Sequence, residues 1–194
     1  MEQSDEQLID AYRKGNEAAL VILIERHFAG IYSYVYRFVH NTSAAEDIVQ
    51  ETFIKVWRQL GRFKGGSGLR PWLFRIARNT AIDHLRKKKN IPFSYFSEEG
   101  EADAVFEDES IDIIEIAIAR ERKENLNTAI EQLPVVYREI LILRAEDDLT
   151  FEEISGVTGK PLNTVKSLYR RGIALLQKAI ATTGSNAPKN PRLS

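Results

Sequence analysis

The most chemically distinctive stretch of the sequence is residues 62–89, which hold nine lysines and arginines and a single acid, Asp83. Three aromatic residues lie among these cations: Phe63, Trp72 and Phe74. Cations neutralise phosphates and aromatic rings stack on unpaired bases, so this composition is typical of a surface for single-stranded DNA. A helical core would explain Trp72 and Phe74 equally well. Phe63, in the glycine-rich loop GRFKGGSG (61–68), is the better candidate for base stacking.

A second basic segment, TFEEISGVTGKPLNTVKSLYRR (150–171), has the plan of a helix-turn-helix. Thr150 and Glu153 form a capping box that opens a short helix, and Gly159 supplies the backbone angles of the turn. The next helix, from about Asn163, has cations and no acid. Val165 and Tyr169 are predicted to face inward, and the outward set is Thr164, Lys166, Ser167, Arg170 and Arg171. The alternative is an ordinary helical hairpin with a solvated basic face.

Catalytic chemistry has little support in the sequence. His27, His40 and His84 lie far apart, without metal-ligand spacing or an evident nucleophile. There is no cysteine and no GxxxxGK[ST] phosphate loop. The acidic pairs Glu98-Glu99 and Asp147-Asp148 lie in predicted loops. We therefore expect a protein that is not an enzyme and that has no cofactor and no metal site.

The elements that position these residues are helical, since apolar residues recur at three and four throughout. Ser43 and Glu46 are predicted to form a capping box for the helix 46–60, in which Trp57 is predicted to face the core. Pro71 suits the start of the next helix. Residues 91–121 are predicted to be a partly disordered linker, and 184–194 a disordered tail. The prediction is an all-α protein with two small domains, 1–90 and 122–183, the second a helix-turn-helix domain.

Charge is distributed unevenly along the chain, which has 194 residues and a net charge of −1. The balance is +5 in residues 1–90, −9 in 91–121 and +3 in 122–194. Two basic blocks that flank an acidic strip suit a protein that grips a polyanion at two places. The sequence also shows no signal peptide and no run near the roughly 20 apolar residues of a membrane span, so a cytoplasmic location without membrane insertion is expected.

Three segments together resemble sigma factors of the extracytoplasmic-function group. AEDIVQETFIKVWRQL (45–60) is similar to the family's polymerase-binding helix, and RPWLFRIARNTAIDHLRKKK (70–89) to the helix that follows its promoter-melting loop. LPVVYREILILRAEDDLTFEEISGVTGKPLNTVKS (133–167) is similar to its C-terminal helix-turn-helix domain. The three matches occur in the family's order and cover most of the chain outside the linker and the tail.

The resemblance implies roles for individual residues. The surface that meets the clamp helices of the polymerase's largest subunit would include Asp47, Gln50, Glu51 and Phe53. The loop would capture a flipped base of the minus-ten element, and the helix after it would hold the non-template strand, through Phe63, Lys64, Ser67, Arg70, Arg75, Arg78, Asn79 and Arg86. The helix from 163 would bind the minus-thirty-five element while its domain rests on the flap of the second-largest subunit. An anti-sigma factor is a further partner implied by the family.

The chain departs from the family pattern at three positions. Asn163 stands where the family usually has glycine, Leu168 where it has arginine, and Lys160 where it has an apolar residue. The helix is therefore expected to meet DNA with one cation fewer. Two other classes of function stay open from the residues alone: a free-standing helix-turn-helix regulator that binds duplex DNA without polymerase, and a helical nucleic-acid enzyme.

Overall fold

The computed structural model describes residues 3–66, 68–89, 129–130, 132–145 and 148–184. Within these ranges the chain forms helices and no strand, which confirms the all-α prediction. The predicted linker and residues 185–194 of the predicted tail lie outside the described residues, whereas residue 184 ends the last helix. The helices that build the fold are α1 (Asp5–Arg13), α2 (Glu17–Val39), α3 (Thr42–Leu60), α4 (Leu69–Lys89), α5 (Val135–Ala145), α6 (Phe151–Thr158) and α7 (Leu162–Gly184).

The first helix was not predicted, although its sequence carries a capping box. The Ser4 hydroxyl accepts a hydrogen bond from the Gln7 N–H, and the Gln7 side chain accepts one from the Ser4 N–H. Leu8 and Ile9 are the buried residues of this helix. Two buried side chains in nine residues give too weak a period to mark a helix, so only the cap could have identified it.

The corner between α2 and α3 differs from the prediction. The side chain of Asn41 caps α3 by accepting from the Ala44 N–H at 2.8 Å, so the predicted box at Ser43 and Glu46 is wrong. His40 ends α2 in the left-handed conformation, with φ 50°. Because a left-handed residue followed directly by a cap leaves no room for a loop, α2 and α3 form a tight helical hairpin.

The helices α1–α4 form one group, in which α2 packs against α1, α3 and α4. By length and composition alone, α2 is apolar enough to cross a membrane, contrary to the expectation that no stretch approached that limit. In the fold it is the central helix of this group, with Leu23, Ile31 and Tyr34 fully buried.

The helices α5–α7 form the second group, in which α7 packs on α5 and α6. Gly172 of α7 allows a close crossing, since a Cβ there would lie 3.3 Å from the Leu141 side chain on α5. The two groups also pack against each other, α4 along α6 and α2 against α5. One apolar core runs through both groups, from Leu8 to Leu168.

Candidate nucleic-acid interface

The helix-turn-helix is built as the sequence predicts. Thr150 Oγ1 accepts from the Glu153 N–H at 3.2 Å, and Glu153 Oε2 accepts from the Thr150 N–H at 2.8 Å. Gly159 makes the turn in the left-handed conformation, with φ 72°. The Ser155 hydroxyl donates to the Lys160 carbonyl at 2.7 Å and so ties α6 to the turn. These local bonds fix the angle at which α7 leaves α6.

The outer face of α7 carries the predicted DNA-binding residues. Arg170 is exposed, and the others are half-buried: Thr164, Lys166, Ser167 and Arg171. Val165 faces the core as predicted, and Tyr169 packs edge-on against Phe151, with ring centroids 5.2 Å apart. Leu168 is also buried, with 2% of its surface exposed. Leu168 belongs to the core, so the position at which the family usually has arginine does not face outward in this structure.

The loop that precedes α4 lies against the N-terminal helices. The Phe63 ring is half-buried and tilted by 43° against Trp72, with centroids 4.8 Å apart. The Phe63 carbonyl accepts a hydrogen bond from Arg13 of α1. Lys64 and Arg70 are exposed at the two ends of the loop, and Ser67 lies outside the described residues. The predicted stacking residue is thus held on a small aromatic platform.

The cations of α4 divide between two faces of the helix. Arg75, Asn79 and Arg86 are exposed, as a DNA-binding face requires. Arg78 is not on that face, because only 7% of its surface is exposed. Arg78, which the resemblance also assigns to DNA binding, therefore faces the second group of helices in this conformation and not the exposed face that carries Arg75 and Arg86.

The partner of Arg78 is Glu139 of α5, whose side chain is 2% exposed. Arg78 Nε donates to Glu139 Oε1 at 2.5 Å, and Nη2 donates to Oε2 at 3.4 Å. The Tyr34 hydroxyl donates to the same Oε1 at 3.1 Å. Burial alone would lower the pKa of Arg78, but the charge and hydrogen bonds of Glu139 outweigh burial and raise the pKa above its ordinary value. Arg78 therefore stays charged in this pocket.

The polar face of α3 carries the residues predicted to bind polymerase. Asp47, Gln50 and Glu51 are exposed. Glu51 forms an ion pair with Lys55 at 2.8 Å. The hydrogen bond from Lys55 lowers the pKa of Glu51, burial opposes this, and the charge of Lys55 adds to the lowering. Phe53 is buried and stacks on Phe28, with ring centroids 6.0 Å apart.

An apolar groove runs beside this polar face, between α2 and α3. Three large side chains along it are exposed: Trp57 by 54%, Phe28 by 47% and Ile54 by 39%. The prediction that Trp57 lies in the core is therefore wrong. The remaining residues that line the groove are Leu20, Ile24, Glu46, Val49, Gln50 and Phe53. Exposed aromatic residues beside polar ones are typical of an interface.

His27 pairs with Asp5 at 2.8 Å, beside an Arg26–Asp5 ion pair at 2.6 Å. This cluster ties the start of α1 to α2. Among the described residues, no group of His, Asp and Glu side chains is arranged to hold a metal ion.

Comparison with known proteins identifies the family of the chain. Residues 23–91 match Sigma-70 region 2, and residues 123–176 match Sigma-70, region 4. The RNA polymerase sigma-H factor of Pseudomonas aeruginosa is 35% identical over 185 residues, which are 92% of this chain and 95% of that protein. The ECF RNA polymerase sigma-E factor of Escherichia coli is 32% identical over 84% of this chain and 87% of its own length.

Two solved structures share the fold. CnrH, in complex with the cytosolic domain of CnrY, has a TM-score of 0.66 at 22% identity and covers 95% of this chain and 100% of its own. The sigma factor RpoE of Bartonella quintana, in complex with the anti-sigma factor NepR, has a TM-score of 0.62 at 22% identity and covers 81% of this chain and 94% of its own.

The helix-turn-helix, the α3 surface and the extended matches to both sigma regions lead to one conclusion. The chain belongs to the sigma-70 family, in its extracytoplasmic-function group, and is a sigma factor that directs RNA polymerase to promoters.

Proposed function

We propose that the chain works as a non-catalytic cytoplasmic adaptor with three binding surfaces, one for core polymerase and two for promoter DNA. The polymerase surface is the exposed face of α3 with Asp47, Gln50 and Glu51, together with Phe53 at the groove. Its partner is the pair of clamp helices of the largest subunit. Asp47 and Glu51 are four residues apart, so both carboxylates address the same partner, and a cationic partner turns their mutual repulsion into attraction.

The apolar groove beside α3 is the observation that carries this proposal. Interfaces combine a desolvated aromatic anchor with a polar rim, and Trp57 next to Gln50 and Glu51 offers both. A free-standing regulator that binds DNA through its helix-turn-helix has no need of a second exposed apolar face on its other domain. The groove therefore favours an adaptor over the regulator.

The minus-ten surface is formed by the loop and α4. Lys64 and Arg70 flank the loop, and Arg75, Asn79 and Arg86 continue the surface along the exposed face of α4. Phe63 stacks on an unpaired base, and Ser67 and Arg78 complete the predicted set. Aromatic stacking and phosphate neutralisation together suit melted DNA, since every base has a π-face.

The minus-thirty-five surface is the outer face of α7, with Thr164, Lys166, Ser167, Arg170 and Arg171. The second helix of a helix-turn-helix lies in the major groove, where its side chains reach the base edges. The flap of the second-largest subunit supports this domain on the polymerase. An anti-sigma factor is the expected inhibitor, because the solved relative RpoE is bound to one in its complex.

In-vitro transcription with core polymerase tests the proposal. We expect sequence-selective initiation that depends on both the chain and core polymerase, and no tight binding of duplex promoter by the chain alone. A free-standing regulator would instead bind its operator tightly without core, and an enzyme would show metal-dependent turnover of nucleic acid. Either result would contradict the adaptor.

A further inference from the structure

The contact between the two groups of helices combines an apolar area with a buried ion pair. Most of it is apolar, and it joins α4 to α6 and α2 to α5 within one core. Among the described residues, one buried ion pair, Arg78–Glu139, lies in this contact with the Tyr34 hydroxyl as a third member. A second polar contact is found at its edge, where Arg138 donates to His40 Nε2 at 2.5 Å. Both of these contacts join the first group of helices to α5.

A buried ion pair contributes more to the choice of one conformation than to net stability. Removing two charges from water costs about as much as their attraction returns, so the pair adds little net stability to a closed state. Removing one partner is a different matter, since the remaining charge is then buried without compensation. The pair therefore makes closure depend on both residues.

The carboxylate of Glu139 also imitates a DNA phosphate. It presents two oxygens to the guanidinium of Arg78, which is the geometry in which arginine binds carboxylates and phosphates. Among the described residues predicted to bind the minus-ten element, Arg78 is the buried one. Arg78 cannot bind both groups at once, so Glu139 and the non-template strand compete for it.

We propose that the described arrangement is a closed state in which Glu139 acts as an internal substitute for a DNA phosphate and withholds Arg78 from the promoter. This inference rests on the proposed role of Arg78 in DNA binding. Opening of the two groups then precedes or accompanies contact with melted DNA. A partner that binds the open state more tightly than the closed state shifts the equilibrium toward the open state. The size of the shift is set by the difference between its affinities for the two states.

The closure can be measured by energy transfer in the full-length chain. The sequence contains no cysteine, so two introduced cysteines are labelled specifically. Glu17 on α2 and Gln177 on α7 are exposed and lie in different groups. The second readout is the affinity of the labelled chain for a fluorescent oligothymidylate, because phosphate contacts and stacking do not depend on base identity.

We expect high transfer in the parent chain. Glu139→Gln should lower the transfer and raise the affinity for oligothymidylate by about tenfold, because loss of the charge destabilises the buried pair. Arg78→Ala should lower the transfer without the gain in affinity. Glu152→Gln, which neutralises an exposed acid in the same group of helices, is the matched control and should change neither readout.

The charge swap Arg78→Glu with Glu139→Arg separates opening from loss of fold. It should restore high transfer, while the affinity for oligothymidylate stays low because the cation now lies on α5. Unchanged transfer in Glu139→Gln, or a swap that fails to restore it, would refute the latch. Opening without a gain in affinity would refute the withholding of Arg78. Failure of the sigma function itself would appear separately, as absent transcription by the parent chain with core polymerase.

Discussion

Reversal of the two acids on α3, Asp47→Lys with Glu51→Lys, should strongly weaken the polymerase contact while leaving the fold almost unchanged. Both residues are exposed, so the fold depends on them mainly through the Glu51–Lys55 pair, whose side chains are 50% and 33% exposed. Such a pair stabilises a helix by about 0.3–0.5 kcal/mol, and the repulsion between the introduced lysine and Lys55 is of similar size. The total of about 1 kcal/mol corresponds to a fall in Tm of about 2–4 °C.

The loss of binding should be much larger than the loss of stability. A close charge pair across an interface contributes at least about 1.5 kcal/mol, so two lost pairs weaken binding by about a hundredfold. Exposed charges are screened beyond about 10 Å at 0.1 M salt, and the difference from the parent chain should therefore shrink as salt is added. The assay pairs a circular-dichroism melt with a titration of core polymerase at several salt concentrations.

The matched control reverses two exposed acids outside α3, Glu25→Lys with Glu152→Lys, and makes the same change in net charge. It should bind core as the parent chain does. Unchanged binding by the α3 variant would refute the assignment of this face and favour a free-standing regulator. Equal losses in both variants would show that net charge, and not the α3 surface, governs the association.

Four further predictions concern the DNA-binding surfaces, a helix cap and one ion pair. Phe63→Ala should impair promoter opening, followed by permanganate reactivity, more than initial binding, by about 1–3 kcal/mol for one lost base stack; normal opening on duplex DNA would contradict stacking. Lys166→Ala and Arg170→Ala should weaken promoter binding by the holoenzyme. A lost phosphate contact lowers the salt slope of the affinity by about one, whereas a lost base contact costs about 1–3 kcal/mol at one base pair. Unchanged affinity and slope in both variants would exclude α7 as the helix that binds the promoter. Thr150→Ala should lower Tm by about 2–4 °C through loss of a cap that contributes about 1 kcal/mol, and Thr150→Ser should restore it. Glu51→Gln should slightly reduce the fall in the free energy of unfolding at acid pH. The folded pKa of Glu51 is below its ordinary value of 4.5, so the stability that Glu51 adds is present above that pH and is lost as the pH falls through the lower folded value. An equal loss of stability at neutral and acid pH would contradict the pairing.

Local patterns in the sequence were sufficient for most of the fold. The period of the apolar residues and the punctuation by Pro71, Thr150 and Gly159 identified α3, α4, α6 and α7, because each signal acts within one or two turns. The cap of α3 was misplaced by two residues, since Asn41 and Ser43 are both good capping residues and the choice depends on where α2 ends.

The features that were missed depend on contacts between distant parts of the chain. Arg78 and Glu139 are 61 residues apart, and nothing in either segment specifies the other. One signal was nevertheless present: Glu139 lies between Val136 and Ile140 on a buried stripe, and an acid in such a position needs a buried partner. Trp57 was misassigned because a contact expected from the sequence is missing in the fold. Periodicity indicates which residues are apolar and not whether another helix covers them.

The separation of Arg78 from Glu139 has a consequence for synthesis of the protein on the ribosome. Translation at about 5–20 residues per second places roughly 3–12 s between the two residues. The helices α1–α4 make most of their contacts with one another and are complete in the chain before α5 is made. Every nascent molecule therefore passes through an interval in which Arg78 has no Glu139 carboxylate to bind, and a polymerase or inhibitor that captures the emerging N-terminal helices does so before the closed state can form.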